Sequence, residues 1–300
     1  MNLKELDLVT RTKYTSHYPM MITGSASSGK TRALENMSVE DKKRTVVLNF
    51  DVKPVGEGRN DEFHSVYTIA ATSEQIDKQI ELLNGRGRTL VESGLDKKDP
   101  KVLYIKGMLA HLKGIKSASY FIDDIESVDK IISTILDATF DESVDRLVVD
   151  TLSSTIDFCE TYSNTNFTGR EIWAAYGFSL QRIMQAVKES TIFGLKYSYV
   201  FAHHDFIPAG QYKTTPKQVV AVKGGIMKGN IEQHYSTIVY TYLDEEGRRM
   251  FECDNRNSLD TSRTKLVADK FSFERESLDD LEQLHALKKE CVDGKLVEIS

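Results

Sequence analysis

A stretch of small residues followed by a lysine carries the strongest chemical signal in the sequence. It comprises Gly24, Ser25, Ala26, Ser27, Ser28, Gly29, Lys30, Thr31 and Arg32, and it matches the spacing G-x-x-x-x-G-K-[ST]. Glycines let the chain pass close to an anion, so backbone N–H groups can surround a di- or triphosphate. Lys30 can reach the β- and γ-phosphates, and the Thr31 hydroxyl can bind Mg²⁺. We call Gly24–Gly29 the phosphate loop and predict a nucleoside triphosphate site there.

Two aspartates that close predicted strands are candidates to complete this site. Asp51 follows one β-branched run, and Asp150 ends a second, Leu147-Val-Val. Ligands of open α/β sheets bind at the carboxyl ends of the strands. We therefore expect Asp51 to polarise an attacking water and Asp150 to hold the Mg²⁺ hydration shell opposite Thr31. A turn-forming aspartate before Pro54 is the alternative for Asp51, and a plain strand-end carboxylate is the alternative for Asp150.

Two histidines end a third predicted strand, Tyr199-Val-Phe-Ala-His203-His204-Asp205. An imidazole at this edge can sense a γ-phosphate through a hydrogen bond, and the sequence does not decide between His203 and His204. Adjacent side chains point to opposite faces of a strand, so we do not expect the pair to share a metal ion.

The elements that must position these groups are short apolar strands alternating with helices, which predicts an α/β fold with a mostly parallel sheet flanked by helices. The predicted strands are 20–23, 45–50, 65–71, 147–149 and 199–205, and helices are expected from Lys30, over 127–138, from about Gly169 and over 277–290. Two further runs, 236–243 and 248–253, predict a C-terminal β-hairpin. Polar stretches at 160–168 and 206–223 are expected to be loops.

Residues 73–117 have helical periodicity with breaks at 84–88 and at Asp99-Pro100, which predicts a helical insertion. This segment is the most basic neighbourhood of the chain; its cations are Arg86, Arg88, Lys97, Lys98, Lys101, Lys106, Lys113 and Lys116. A solvated helical insertion and a nucleic-acid contact both fit this composition.

The whole-chain composition excludes several classes of protein. The formal net charge is -6 and the pI is near 5.7, so any DNA contact must come from a local patch. The three cysteines have neither pairing nor C-x-x-C spacing, which disfavours a disulfide scaffold or a structural zinc site. No apolar stretch approaches the length of a membrane span, so we expect a soluble, cytoplasmic protein without membrane contact.

Several motifs occur in an order that is more specific than any one of them. They are Gly24–Thr31, Leu48-Asn-Phe-Asp-Val-Lys-Pro54, Leu147-Val-Val-Asp150-Thr-Leu-Ser, Trp173-x-x-Tyr-Gly177, Val200-Phe-Ala-His203, Gly224-Gly225 before Ile238-Val-Tyr, and Thr261-Ser-Arg-Thr-Lys265. Over roughly residues 18–268 the chain resembles the phage-encoded RecA-like ATPases, a group of phage nucleotide-binding proteins and single-strand annealing ATPases related to RecA and RadA.

The resemblance implies a RecA-like P-loop core that binds ATP and Mg²⁺ and handles single-stranded DNA in recombination or replication. It gives Asp51 the role of the family's water-activating glutamate, Asp150 the metal-shell role and His203 the phosphate-sensing role. Asp51 is one methylene shorter than glutamate, which predicts slow hydrolysis. Segment 206–223 lies where RecA-like proteins place a DNA-contacting loop, so Lys213 and Lys217 are candidate DNA contacts; solvated loop lysines are the alternative.

The resemblance also implies a homo-oligomer whose site is completed by a basic residue of the neighbouring subunit. The candidates are Lys228, Arg263 and Lys265. Phage replication or recombination proteins are the implied partners, in the cytoplasm of the host cell. We divide the chain into an N-terminal lead (1–17), the ATPase domain (18–268, including the insertion) and a C-terminal acidic helix and tail (269–300).

Two other functions fit the same phosphate loop. A small-molecule kinase would need an arginine-rich lid, for which Arg86 and Arg88 are the only pair suggested by the sequence. A nucleotide-gated binding module with little hydrolysis is compatible with the short Asp51 side chain. The absence of an Asn-Lys-x-Asp motif disfavours a GTPase.

Overall fold

The computed structural model describes residues 19–51, 60–69, 73–117, 127–209, 215–220, 231, 234–235, 237–254, 270–275, 277–286, 289–292 and 294–298. The strands are β1 (Met20–Gly24), β2 (Thr45–Asn49), β3 (Ser65–Thr68), β4 (Arg146–Asp150), β5 (Tyr197–Ala202), β6 (His204–Ala209), β7 (Thr215–Val220), β8 (Thr237–Leu243), β9 (Arg249–Asp254), β10 (Lys270–Glu274), β11 (Lys289–Val292) and β12 (Lys295–Glu298). The helices are α1 (Lys30–Glu35), α2 (Val39–Lys42), α3 (Ser73–Glu92), α4 (Pro100–Ser117), α5 (Val128–Phe140), α6 (Leu152–Asn166), α7 (Glu171–Phe193) and α8 (Leu278–His285).

Eight strands form one sheet in the order β10-β9-β8-β1-β5-β4-β2-β3. Strands β8, β1, β5, β4, β2 and β3 are mutually parallel, whereas β9 and β10 are antiparallel to their neighbours. The predicted fold class, a RecA-like P-loop core with a mostly parallel sheet flanked by helices, is confirmed. The expected hairpin is also confirmed, as β8 and β9. Parallel strands end at one edge, so the carboxyl ends of β1, β5, β4 and β2 lie side by side.

Hydrophobic residues cover both faces of this sheet. On one face, α5, α6 and α7 contribute side chains such as Ile135, Ile156 and Ile183 to a continuous core. On the other face, α1 and α8 pack Leu34 and Leu281, among others, against the sheet. Every residue of β1, β2, β4 and β5 is buried, which explains why these strands are rich in apolar and β-branched residues. None of the helices in the described segments is both long and apolar enough to cross a membrane.

Two predictions about the helices are wrong. The polar stretch 160–168 is helical as far as Asn166, because its side chains bond to the preceding turn: Thr165 Oγ1 donates to the Thr161 carbonyl at 2.8 Å, and Asn166 Nδ2 donates to the Tyr162 carbonyl at 2.8 Å. Helix α3 runs through the predicted break at 84–88 without interruption. The other predicted break, before Pro100, is present, and the proline begins α4.

The prediction of a loop over 206–223 is also wrong in part, because β6 and β7 form a separate antiparallel hairpin. Its two prolines, Pro208 and Pro216, are paired with each other. A two-stranded ribbon has two edges, and prolines are tolerated at edges because no ladder bond to a third strand is lost there. The strand predicted over 199–205 is therefore two strands, β5 and β6, with His203 between them.

The C-terminal segment is more closely integrated than an acidic tail. Helix α8 ends at His285 rather than continuing to Glu290, and the hairpin of β11 and β12 follows it. Strand β10 is an edge strand of the main sheet, and Leu278 of α8 is buried in the same core. The division at residue 268 stays a prediction, but the elements beyond it share the sheet and core of those before it.

A buried ion pair joins α8 to the amino-terminal end of β4. Arg146 and Glu282 are each 6% exposed, and Arg146 Nε donates to Glu282 Oε1 at 2.6 Å. The Tyr199 hydroxyl donates to the same carboxylate oxygen at 2.9 Å. Asp41 makes a second ion pair with Arg146 at 2.7 Å. Removing one partner of such a network leaves a charge in a low-dielectric environment without its full compensation.

The Glu282→Ala substitution should therefore lower the free energy of unfolding by about 3 kcal/mol, since Asp41 remains as a partial counter-charge for Arg146. Urea denaturation followed by circular dichroism measures this difference. Gln283→Ala, on the same helix, is the matched control and should change stability by less than about 0.5 kcal/mol. Equal unfolding midpoints for the two variants would contradict the importance of the ion pair.

Candidate functional site

The phosphate loop connects β1 to α1 and requires both of its glycines. A Cβ on Gly24 would collide with the Thr241 carbonyl and would lie 2.6 Å from Ser28 Oγ. Gly29 has a φ of 86°, and a Cβ there would lie 2.6 Å from Arg249 Nε. Within the loop, Ser28 is buried, whereas Ser25, Ala26 and Ser27 are exposed. The loop is therefore packed at both ends and open at its tip, where a phosphate chain would bind.

Lys30 is folded back onto the loop. Its Nζ donates to the carbonyls of Gly24 at 2.9 Å and Ser25 at 2.8 Å, and it lies 3.4 Å from His203 Nδ1. Burial lowers the pKa of Lys30 to about 8, while the nearby Asp150 carboxylate acts in the opposite direction. The ammonium group thus already lies against the loop that is expected to bind phosphate.

Thr31 and Asp150 meet as the sequence predicts. The Thr31 hydroxyl donates to Asp150 Oδ2 at 3.0 Å, although the two residues are 119 positions apart. A hydroxyl and a carboxylate are the hard oxygen donors that Mg²⁺ prefers, so the pair fits this ion. Among the described residues there is no group of three or more His, Cys, Asp or Glu that could hold a metal. Phosphate and water oxygens would have to supply the remaining ligands.

Asp51 lies beside this pair, where β2 ends next to β4. Its backbone N–H donates to the Asp150 carbonyl at 3.2 Å. Its carboxylate accepts a hydrogen bond from Ser154 Oγ at 3.2 Å, and Ser154 lies in the first turn of α6, which Thr151 caps. The Asp51 charge also raises the pKa of Lys30, although less than Asp150 does. The structure therefore brings both predicted carboxylates to the phosphate loop.

The two histidines diverge. His203 contacts Lys30, and the pKa of His203 is lowered by burial and then by the lysine charge. The His204 ring instead packs edge-to-face on Tyr240, with the ring centroids 5.3 Å apart. Of the two, only His203 is therefore directed at the phosphate loop, and the geometry favours it as the sensor.

Other predicted residues are not brought to the site by the structure. Arg32 is a residue of α1 that pairs with Glu35, its Nη1 lying 3.7 Å from the Glu35 carboxylate. Lys217 lies on β7, paired with Ile207 in the hairpin. The remaining candidates, Lys213, Lys228, Arg263 and Lys265, lie outside the described residues.

Two arginines near the loop are not predicted from the sequence. Arg275, directly after β10, is 4% exposed; its Nη2 donates to the Ser28 carbonyl at 2.6 Å and its Nη1 to the Gly29 carbonyl at 2.9 Å. Arg249 of β9 lies over Gly29. Because Arg275 and Gly29 are 246 positions apart, no local pattern links them.

Ser154 is a third residue that the sequence does not single out. Its position carries a weak signal, because Thr151-Leu-Ser-Ser154 after Asp150 has the pattern of a helix cap, and the Ser154 N–H indeed donates to Thr151 Oγ1 at 3.4 Å. The contact from its hydroxyl to Asp51 depends on the pairing of β2 with β4, which the cap pattern does not show.

Comparison with known proteins adds a family and a fold likeness. The sequence profile of the AAA_24 family, an AAA domain, matches residues 16–265. No curated protein is significantly similar in sequence to the chain. Among solved structures, the chain is similar to the RadB recombinase, with 14% identity, 85% of each chain covered and a TM-score of 0.42. It is also similar to a helicase ATPase domain, with 13% identity, 99% of this chain and 89% of that chain covered, and a TM-score of 0.37. At these TM-scores neither likeness carries an argument about function.

The family match spans well over half of the chain and includes the phosphate loop, Asp51, Asp150 and His203. The protein therefore belongs to the AAA_24 family of AAA domains and has the nucleotide-binding core of a P-loop ATPase.

Proposed function

We propose that the protein binds and hydrolyses ATP with Mg²⁺ and couples hydrolysis to single-stranded DNA in recombination or replication. The observation that supports this most is the 3.0 Å hydrogen bond between Thr31 and Asp150, formed directly beside the phosphate loop. A loop that binds phosphate and a pair of hard oxygen donors that fits Mg²⁺ are the two parts that a triphosphate site requires.

The binding roles follow from the contacts of each residue. The exposed tip of the phosphate loop would receive the phosphates through its backbone N–H groups. Lys30 would exchange its carbonyl partners, Gly24 and Ser25, for phosphate oxygens, which are stronger acceptors for an ammonium group. Thr31 and Asp150 would hold Mg²⁺, which supplies neutralisation of the phosphate charge.

The hydrolytic roles fall to Asp51 and His203. Ser154 donates to one oxygen of Asp51 and thereby orients the carboxylate, which would accept a proton from water as the water attacks the γ-phosphate. His203 contacts Lys30, so a lysine that moves to the phosphates would change the hydrogen bonding of the imidazole. This gives His203 a physical route to sense the γ-phosphate. The short Asp51 side chain predicts slow turnover.

The coupling to DNA and the assembly extend what the family resemblance implies. Strand β6 begins at His204, next to the proposed sensor, so the β6–β7 hairpin starts at the nucleotide site. This position supports Lys213 and Lys217 as DNA contacts that respond to nucleotide. We propose a homo-oligomer in which Lys228, Arg263 or Lys265 of a neighbouring subunit completes the site, and phage replication or recombination proteins in the host cytoplasm as partners.

Lys30→Ala should reduce ATP turnover by at least about 100-fold, because the lysine is proposed to stabilise charge on the transferring phosphate. Steady-state phosphate release, measured with and without single-stranded DNA, tests both parts of the proposal. DNA should accelerate the wild-type protein and leave Lys30→Ala inactive. The exposed Lys43→Ala is the control and should behave as wild type. Wild-type turnover that DNA does not change would contradict the role on DNA while leaving the ATPase intact.

Asp51→Asn should reduce kcat by about 10²- to 10⁴-fold with little change in ATP affinity, because it removes the proton acceptor but no phosphate contact. Asp51→Glu should keep or increase kcat, since the longer side chain reaches further towards the γ-phosphate. Single-turnover hydrolysis and fluorescent-nucleotide titration separate the two quantities. Asp61→Asn, an exposed aspartate outside the site, is the control. If Asp51→Asn retained wild-type turnover, the water-activating group would have to be another residue.

A further inference from the structure

The helical insertion contains a groove that the proposed ATP site does not use. It lies between α3 and α4, has a volume of about 350 Å³ and has the buried side chains of Leu83 and Val102 in its floor. Three basic residues, Arg88, Lys97 and Lys106, line the same groove, against one acidic residue, Glu92. An apolar floor with an excess of cations around it suits a ligand that combines a flat apolar surface with negative charge.

The charge of this region lacks an internal counterpart. Helix α4 contains four lysines, Lys101, Lys106, Lys113 and Lys116, and no acidic residue, in a protein whose net charge is -6. Within the described part of the chain, no carboxylate forms an ion pair with Arg88, Lys97 or Lys106. The Lys106 ammonium instead donates to the Lys97 carbonyl at 3.2 Å, which draws two of the cations together. These charges are available to an external anion.

A packing path connects the groove to the nucleotide site. Helix α3, one wall of the groove, packs against α6. The first turn of α6 contains Ser154, whose hydroxyl donates to Asp51. A ligand that shifts α3 against α6 would therefore act on the residue that orients the proposed catalytic carboxylate.

We propose that the α3–α4 groove binds single-stranded DNA, with a base on the apolar floor and the adjacent phosphates at Arg88, Lys97 and Lys106. Single-stranded nucleic acid supplies both chemistries, because its unpaired bases have apolar faces and its backbone is anionic. A duplex keeps its bases stacked and has none free for the floor. This inference rests on the proposed function and assigns its DNA to a surface other than the β6–β7 segment.

The test compares the wild type with the triple variant Arg88→Ala/Lys97→Ala/Lys106→Ala. The control, Lys43→Ala/Lys130→Ala/Lys295→Ala, removes the same charge from exposed residues on other elements. Fluorescence anisotropy with labelled oligothymidylate between about 50 and 200 mM salt gives the affinity and its salt dependence. The groove variant should bind about tenfold more weakly or worse, and its log–log salt slope should fall by about 2, since single strands lose about 0.7 per phosphate contact.

The outcomes separate the inference from the function on which it rests. Loss of DNA binding and of DNA-stimulated turnover in the groove variant alone, with basal ATP turnover unchanged, supports the groove. Equal binding by all three proteins overturns the groove and leaves the function intact. A wild type that hydrolyses ATP but binds no single-stranded DNA overturns both. Preference for duplex DNA or for an acidic peptide over oligothymidylate also contradicts the groove as a single-strand site.

Arg275 supports a second, independent inference about the nucleotide site. Its guanidinium group bonds to two carbonyls of the phosphate loop, and its centre lies 4.6 Å from the centroid of the Phe251 ring. Within the described residues no carboxylate pairs with it, and its buried Nε has no hydrogen-bond partner. Burial, followed by the charge of Arg249, lowers the pKa of Arg275 to about 10. Arg275 lies beyond residue 265, where the family match ends.

The direction of these hydrogen bonds bears on the phosphates. In a trans peptide the carbonyl and the following N–H point in opposite directions. By holding the carbonyls of Ser28 and Gly29 on the outer side, Arg275 fixes the N–H groups of Gly29 and Lys30 on the inner side. We infer that Arg275 is a positioning residue, which keeps the loop ready for phosphate and adds positive potential behind it. This inference also depends on the proposed nucleotide site.

Arg275→Met should raise the Kd for Mg-ATP at least about tenfold, and Arg275→Lys, which keeps the charge but not the two-pronged contact, should have an intermediate Kd. Fluorescent-nucleotide titration at a temperature where each variant is folded separates affinity from stability. Arg248→Met, on the neighbouring turn and paired with Asp244, is the control. A variant that melts earlier yet binds ATP with wild-type affinity overturns the inference, and Arg275→Lys provides this test if Arg275→Met does not fold. A wild type that binds no nucleotide contradicts the proposed function itself.

Discussion

The peptide groups of the phosphate loop have two ends, and the structure depends on satisfying both. Their N–H ends must remain available to an anion, so their carbonyl ends need donors from elsewhere. Lys30 bonds to the carbonyls of Gly24 and Ser25, and Arg275 bonds to those of Ser28 and Gly29. The charge of Arg275 also contributes to the lowered pKa of Lys30, so the two cations repel each other. A bound triphosphate would relieve this repulsion, and the loop therefore favours an anion.

The register of the sheet brings the other groups to this loop. Because β1, β5, β4 and β2 are parallel neighbours, Gly24, His203, Asp150 and Asp51 lie at or just after the ends of adjacent strands. Strand β5 lies between the loop strand and the strand of Asp150, and the residue that follows it is the histidine that contacts Lys30. Contacts between residues far apart in sequence thus follow from strand order, and the side chains need no long excursion to reach each other.

Sequence reasoning succeeds for the parts of the site that depend on local chemistry. The phosphate loop and the two strand-end aspartates are predictable because spacing and apolar runs are visible in a single chain. The helical end of α6 is not, because its polar composition is typical of a loop, whereas its side chains in fact bond to their own helix. Arg275 escapes prediction because its role exists only after β9 and β10 have joined the sheet. The choice of His203 over His204 likewise requires knowing where the strand is interrupted.

The position of Arg275, far downstream of the phosphate loop, has a consequence for synthesis. A ribosome releases the loop, both aspartates and His203 well before it releases β10 and α8. Until those elements emerge, Ser28 and Gly29 lack the guanidinium donor, and Arg146 lacks its buried Glu282 partner. The nascent chain at that stage carries every residue of the recognisable motifs without the donors that order them. Tight nucleotide binding would then be a property of the finished polypeptide and not of its first two hundred or so residues.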